Sequence, residues 1–281
     1  MLNKDKMYKN LKRWVVPKDS VTVTPYFKYL VFGGSDYLVD GNLIATDGCK
    51  LILIKNQKCN PHLETWDGTI VDSPRVKQSE VIRTYNNMID VIPRNTDCQW
   101  STTISSTWFN HIRNACEFIC VSSKKDVNAG MSMLNYTNGN LWLLSSSYDN
   151  GSQKFQILQC GHKKDTLKPY AVKFLLADKI DSKDNWYGFW NAEYLRDAMD
   201  MVIESKAKSM RLSVKFSNLP VPKTLIGERL SSGTWKIETD DLIIIAISMR
   251  CRTSSSKSGL FNRFINSESV VPKTGLWKKG K

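Results

Sequence analysis

Few residues of this chain match the residue patterns of known catalytic sites. The three histidines are His62, His111 and His162, and none has an acid partner at the spacing of a catalytic motif. The sequence has no phosphate-binding glycine loop ending in Lys-Ser or Lys-Thr, no Gly-x-Ser-x-Gly and no His-Glu-x-x-His. Asp47 lies beside Cys49 and Lys50, but Asp before Gly is typical of a tight turn. We predict that the chain is not an enzyme.

The cysteines do not predict a metal site or a disulfide framework. There are seven of them, an odd number without the tight spacing of a secreted scaffold, which favours reduced thiols in an intracellular protein. Cys116 and Cys120 would share a helical face, and Cys160 and His162 are two residues apart. Free cysteine usually behaves as a small buried apolar residue, so we expect neither a metal nor another cofactor.

The basic residues concentrate at the two ends of the chain. The net charge of +13 suggests a polyanionic partner. Residues 1–20 hold six basic and two acidic side chains, and residues 250–281 hold eight and one. The body between them is nearly neutral, which is unlike a uniformly basic nucleic-acid coat.

Composition predicts a globular protein of two domains, because 281 residues with 41% hydrophobic content can bury a sizeable core. No stretch approaches the roughly 18 apolar residues of a membrane span, and no apolar signal core precedes Pro17. The expected location is cytoplasmic and nucleoid-associated, or the host cytoplasm if the chain is phage-encoded.

Short apolar runs separated by turn residues predict an antiparallel meander over residues 24–56, with turns at Gly33-Gly34, Asp40-Gly41 and Asp47-Gly48. A similar pattern recurs 98 residues later, where Asn138-Gly139-Asn140-Leu141 matches Asp40-Gly41-Asn42-Leu43. This spacing fits two similar domains in tandem.

Apolar periodicity predicts helices that position the candidate side chains. Residues 105–121 and 191–204 each have an apolar face, with Ser105 or Ser106 and Asn191 as N-caps, and residues 4–15 form a basic helix. Residues 58–93 show no convincing amphipathic helix. Alternation at 210–216 and the apolar run 242–247 predict strands.

Five segments in order resemble the bacterial sliding clamp, the β subunit of DNA polymerase III, over its middle and C-terminal domains. They are residues 11–13, 42–51, 85–93, 189–198 and 244–250, of which Ala-Thr-Asp-Gly-Cys-Lys-Leu at 45–51 and Met-Arg at 249–250 are the most specific. Ser248 and Asn86 stand where the family usually has proline, which suggests a divergent, phage-like, two-domain version.

The resemblance implies an α+β DNA clamp fold, with tandem domains of antiparallel sheet and helices lining one face. We expect a first domain at 1–95 with a shortened second half, a second at 96–252, and a flexible basic tail at 253–281. A ring of six such domains would be a homotrimer. The implied partners are double-stranded DNA, and DNA polymerase and clamp loader bound through short apolar peptide motifs.

The same resemblance implies functional roles for two sets of residues in this sequence. The predicted DNA-contact residues are Lys9, Lys12, Arg13, Arg113, Arg196, Lys206 and Lys208. The predicted walls of a partner-peptide pocket are Thr46, Gly48, Cys49, Lys50, Leu51, Val91, Ile245, Ile247, Met249 and Arg250. The acidic side chains of the helix at 191–204 are expected to repel DNA.

The function implied is that of a processivity factor that encircles duplex DNA. Two alternatives remain open: a clamp-fold adaptor for transcription or recombination that does not encircle DNA, and a plain electrostatic DNA-binding protein. The shortened first domain and the acidic helix favour the adaptor. Ring topology separates the clamp from both alternatives.

Overall fold

The computed structural model describes residues 4–16, 25–33, 42–55, 60–72, 77–122, 131–137, 140–145, 147–149, 152–154, 171–174, 185–216, 228–230 and 233–247. These residues form an α+β structure that divides into two compact units. Unit 1 comprises Met1–Arg113, Arg196–Ser217 and Gly233–Ile247, and unit 2 comprises Asn114–Leu195, Asn218–Ser232 and Ser248–Lys281. None of the helices in the described part of the chain has the length and apolar character needed to cross a membrane.

The described elements are four α-helices and fifteen strands. The helices are α1 (Lys4–Leu11), α2 (Gln78–Ile89), α3 (Phe109–Ser122) and α4 (Ala192–Glu204). The strands are β1 (Leu30–Phe32), β2 (Leu43–Thr46), β3 (Lys50–Ile54), β4 (His62–Glu64), β5 (Trp100–Ser105), β6 (Met131–Thr137), β7 (Asn140–Ser145), β8 (Ser147–Asp149), β9 (Ser152–Lys154), β10 (Ala171–Phe174), β11 (Asn185–Asn191), β12 (Ser209–Phe216), β13 (Glu228–Leu230), β14 (Gly233–Glu238) and β15 (Leu242–Ile247).

Unit 1 is built on one eight-stranded antiparallel sheet of order β4-β1-β2-β3-β15-β14-β12-β5. Its central pair joins β3 to β15, with Leu51 opposite Ile245. Strands from before and after residue 95 therefore share one sheet. The domain boundary at 95/96 itself stays a prediction.

One face of this sheet is covered by α2. Val81 and Tyr85 of the helix belong to a buried cluster with Ile44, Leu51 and Ile245 of the strands. Successive side chains of a strand point to opposite faces, and the cluster accordingly takes alternate residues of β3, Leu51 and Leu53. Burial raises the pKa of the Tyr85 hydroxyl, which therefore stays neutral.

The opposite face of the sheet carries the end of α1 and a short 3-10 turn at Lys12–Trp14. Leu11 and Trp14 are buried there, and Lys50 of β3 lies beside the Trp14 ring. The unit 1 part of α4 faces the same side, because Asp197 forms an ion pair with Lys50. Three of the four described helices thus contribute to one face, since Arg113 of α3 contacts Asp200 of α4.

Unit 2 contains a five-stranded sheet of order β10-β7-β6-β11-β13. Its pairs are antiparallel except β11 with β13, which is parallel. The β6–β7 hairpin pairs Thr137 with Asn140, and the predicted Asn138-Gly139 turn lies outside the described residues. A separate β8–β9 hairpin follows. The predicted hairpin of the second copy is confirmed.

The two helices predicted from apolar periodicity at residues 105–121 and 191–204 are confirmed as α3 and α4. The Asn191 side-chain oxygen accepts a hydrogen bond of 2.9 Å from the Glu193 backbone N–H at the start of α4. Ser105 likewise accepts from the Thr107 N–H, in a 3-10 turn that leads into α3. The basic N-terminal helix is also present as α1.

The expectation that residues 58–93 contain no helix is wrong, because α2 occupies Gln78–Ile89. Its apolar residues recur at helical spacing, but its N-cap position is Lys77, which makes no side-chain cap. Instead, the Tyr26 hydroxyl donates a 2.9 Å hydrogen bond to Glu80, and this bond lowers the pKa of that carboxyl. Among the described residues between β4 and β5, α2 is accompanied by no strand beyond the Glu64–Ile70 bridge.

Candidate partner-binding and DNA-contact sites

The turn between β2 and β3 is held by side chains that bond its own backbone. The Thr46 hydroxyl donates to the Lys50 carbonyl at 2.7 Å and accepts from the Gly48 N–H at 3.0 Å. One Asp47 carboxylate oxygen accepts from the N–H groups of Cys49 and Lys50 at 2.8 and 2.9 Å. The Asp47 carboxylate therefore stabilises the turn, as the Asp-Gly pattern predicts.

Replacing Gly48 by alanine is expected to destabilise unit 1 by about 2 kcal/mol. Gly48 has φ +92°, and a Cβ atom there would lie 3.1 Å from the Phe27 ring. Gly68→Ala is the matched control, because Gly68 has φ +84° but its Cβ atom would stay 3.6 Å from the Tyr8 ring. We expect about 1 kcal/mol for the control. Equal shifts of the two urea-unfolding midpoints would show that Phe27 makes no tight contact.

An apolar strip runs from the core to the surface along the β3–β15 pair. The buried Leu51–Ile245 pair is followed by Cys49 and Ile247, where the Ile247 N–H donates to the Cys49 carbonyl at 3.2 Å. Cys49 is exposed, and Ile247 keeps 57% of its surface accessible. We call Cys49 and Ile247 the apolar shelf.

Val91, another predicted pocket residue, follows the end of α2. Val91 is 53% exposed, and its neighbour Ile92 packs against the buried cluster that contains Leu51 and Ile245. The structure thus places Thr46, Gly48 and Cys49 of the turn near the end of the same strip. Met249 and Arg250, the other two predicted pocket residues, lie outside the described residues.

Lys50 does not face the apolar shelf. It lies between Cys49 and Leu51 on the strand, so its side chain points to the other face of the sheet. There its Nζ lies 2.5 Å from Asp197 Oδ2 and 5.0 Å from the centre of the Trp14 ring, and only 5% of the residue is exposed. Lys50 therefore anchors α4 to the sheet.

Three of the predicted DNA-contact residues form ion pairs with α4. Arg13 approaches Asp200 at 2.6 Å and Asp197 at 3.3 Å. Arg113 Nε lies 3.0 Å from Asp200, and Arg196 lies 3.0 Å from Asp197. Asp197 is buried, so the expectation that its carboxylate repels DNA from a solvent-facing helix is wrong. The ion pair between Asp197 and Lys50 could not be predicted from a local pattern, because the two residues are 147 positions apart in the chain.

The remaining predicted DNA-contact residues are exposed lysines. Lys9 and Lys12 lie along α1 and the 3-10 turn after it, and Lys206 and Lys208 follow α4. Lys206 has φ +57°, the left-handed conformation that commonly ends a helix. Its N–H donates to the Ile203 carbonyl at 3.0 Å. This capping contact explains its position without reference to a ligand.

No group of three or more potential metal-ligating side chains lies together in the part of the chain that the structure describes. His62 instead stacks on Phe32, with ring centres 4.5 Å apart, and contacts the Glu64 carboxylate at 2.8 Å. Cys116 and Cys120 are both buried in α3. Cys160 and His162, the other closely spaced pair, lie outside the described residues.

Comparison with protein-family models finds no match, and neither does comparison with curated protein sequences. Solved bacterial clamps match in structure. The Helicobacter pylori beta clamp bound to a DNA ligase peptide superposes with a TM-score of 0.50 at 8% identity, covering 88% of this chain and 63% of that one. The Pseudomonas aeruginosa DNA polymerase sliding clamp gives a TM-score of 0.50 at 12% identity, covering 88% of this chain and 64% of that one.

A putative DNA polymerase III beta subunit from Eubacterium rectale gives a TM-score of 0.53 at 9% identity, covering 89% of this chain and 65% of that one. The chain therefore has the α+β sliding clamp fold. It spans slightly less than two thirds of the length of the clamp chains that it matches.

Proposed function

We propose that this chain is a subunit of a sliding clamp that encircles duplex DNA and increases the processivity of a DNA polymerase. The observation that carries the proposal is the clamp fold, which extends over 88% of the chain. The role requires no catalytic step, metal or cofactor. The clamp would act in the cytoplasm at the nucleoid, or in a host's cytoplasm if it is phage-encoded.

The ion pairs of α4 support weak contact with DNA. A clamp must meet phosphates without holding them, because strong or base-specific contacts would stop it from sliding. The guanidinium groups of Arg13 and Arg113 already pair with Asp200, yet their side chains remain 40% and 34% exposed. A phosphate group would compete with that carboxylate, so each contact is readily exchanged.

The apolar shelf supports the recruitment of partners. It offers an exposed isoleucine side chain beside a rigid turn, a surface that suits the apolar side chains of a short peptide. We propose that DNA polymerase and clamp loader bind there through short apolar motifs. The structural relative from Helicobacter pylori is a clamp bound to a DNA ligase peptide.

Closure of the ring requires a homotrimer if each chain supplies two of six domains. The native mass of the full chain, measured by light scattering, tests this stoichiometry. We expect about 96 kDa, three times the 32.1 kDa of one chain. A stable particle of one chain mass would overturn the trimer.

The second candidate is a clamp-fold adaptor for transcription or recombination that does not encircle DNA. It is favoured by the short stretch between β4 and β5, whose described residues form α2 on the sheet face opposite α1. A monomer that binds linear and circular DNA equally would support the adaptor, or the plain electrostatic DNA-binding protein. If the protein is a clamp, we expect only circular DNA to retain it.

A further inference from the structure

A tight turn beyond β4 lies against α1 and was not among the predicted DNA-contact residues. The Thr65 N–H donates to the Thr69 carbonyl, and the Gly68 N–H donates to the Thr65 carbonyl, both at 2.9 Å. Asp67 accepts hydrogen bonds from the Thr65 hydroxyl and the Thr69 N–H, and these bonds lower the pKa of its carboxyl. The turn is thus rigid and places Trp66 at its tip.

The turn and α1 are fixed to each other by Tyr8. The Tyr8 ring lies against Gly68, and its hydroxyl donates to the Glu64 carboxylate at the end of β4. His62 contacts the other oxygen of the same carboxylate at 2.8 Å. The position of Trp66 relative to α1 is therefore set by hydrogen bonds and packing.

Trp66 holds the end of a basic side chain on this surface. The Lys12 Nζ lies 4.2 Å from the centre of the Trp66 ring, within the range of a cation–π contact. Lys12 remains exposed in the 3-10 turn after α1, as do Lys6 and Lys9 along α1. A lysine whose ammonium group already has a fixed place loses less conformational freedom when it meets a phosphate.

We propose that the turn at 65–69 is part of the DNA-contact surface, in which Trp66 is a positioning residue that directs Lys12 to a phosphate of duplex DNA. The inference rests on the proposed function, because it takes α1 to face DNA. The contact uses an ammonium N–H and the phosphate oxygens, so it carries no base specificity. Asp67 is an exposed anion on the same turn and weakens binding.

The test measures binding of a labelled DNA duplex to the full chain by fluorescence anisotropy across a range of salt concentrations. We expect Lys12→Ala to weaken binding about three- to tenfold and to reduce the slope of log affinity against log salt by about 0.9. Trp66→Leu is expected to weaken binding about threefold. Trp66→Phe, which keeps a ring face, should lose less, and Asp67→Asn should bind more tightly.

The double variant separates positioning from damage to the fold. In the Lys12→Ala background, Trp66→Leu should have no further effect, because no ammonium group remains to be positioned. A further loss there, an unchanged affinity for Trp66→Leu alone, or a larger effect on single-stranded than on duplex DNA overturns the inference. The proposed contact of α1 with DNA is tested by three variants, Lys9→Ala, Lys12→Ala and Arg13→Ala. If all three bind DNA with unchanged affinity, that contact is contradicted, and not only the role of Trp66.

Discussion

Replacing Asp197 by alanine is expected to lower the free energy of unfolding by about 3–5 kcal/mol, measured by urea denaturation. The side chains of Asp197 and Lys50 are each only 4% exposed, and their charged atoms lie 2.5 Å apart. Alanine leaves the ammonium group buried without this carboxylate, while the Asp47 carboxylate lies farther away at 4.0 Å. Burying a charge after its close partner is removed is costly.

Asp200→Ala provides the control on the same helix. Asp200 also contacts two cations, but its side chain is 16% exposed and its partners Arg13 and Arg113 are solvated more freely. We expect a loss of about 1 kcal/mol or less. The double variant Lys50→Met with Asp197→Leu should recover most of the stability lost in Asp197→Ala. Equal losses for Asp197→Ala and Asp200→Ala would contradict the buried ion pair.

Replacing Ile247 by lysine is expected to weaken binding of a labelled short apolar peptide by about 30-fold, which is about 2 kcal/mol. A lysine at the end of the apolar strip removes apolar area and places a charge where the peptide side chain would be buried. Because Ile247 is 57% exposed, the fold itself should change in stability by no more than about 0.5 kcal/mol.

Ile70→Lys is the matched control for this variant. Ile70 is 64% exposed, but it lies in the bridge beside β4, at the far edge of the sheet from β15. The control should bind the peptide normally and keep the same unfolding midpoint. Equal loss of peptide binding in both variants would mean that the apolar shelf is not the binding site.

The parts of the fold that sequence predicted are those whose signals are local. A side-chain cap at Asn191 and the alternation of residues 210–216 are set by neighbours in the chain, and α4 and β12 form where they predict. The start of α2 has no capping side chain, and its stability comes from Val81 and Tyr85 packing on the sheet. Such tertiary stabilisation is not visible in a local pattern.

The candidate sites were predicted less completely than the fold. Because side chains alternate along a strand, Lys50 points away from the face that Cys49 and Leu51 share. The orientation of Lys50 could therefore be predicted from sequence. The pairing of Lys50 with Asp197, and of Arg13 with Asp200, depends on distant segments meeting across the fold. The contact between Lys12 and Trp66 likewise joins an N-terminal helix to a turn after β4.

Encirclement of DNA is tested by a linearisation experiment. The full chain is loaded onto circular duplex DNA, free protein is removed, and the DNA is then cut once with a restriction enzyme. Retention is followed in enough salt to suppress ordinary electrostatic binding. A ring predicts that the protein stays on the circle and is lost from the cut DNA within seconds. Equal retention on circular and linear DNA would contradict it.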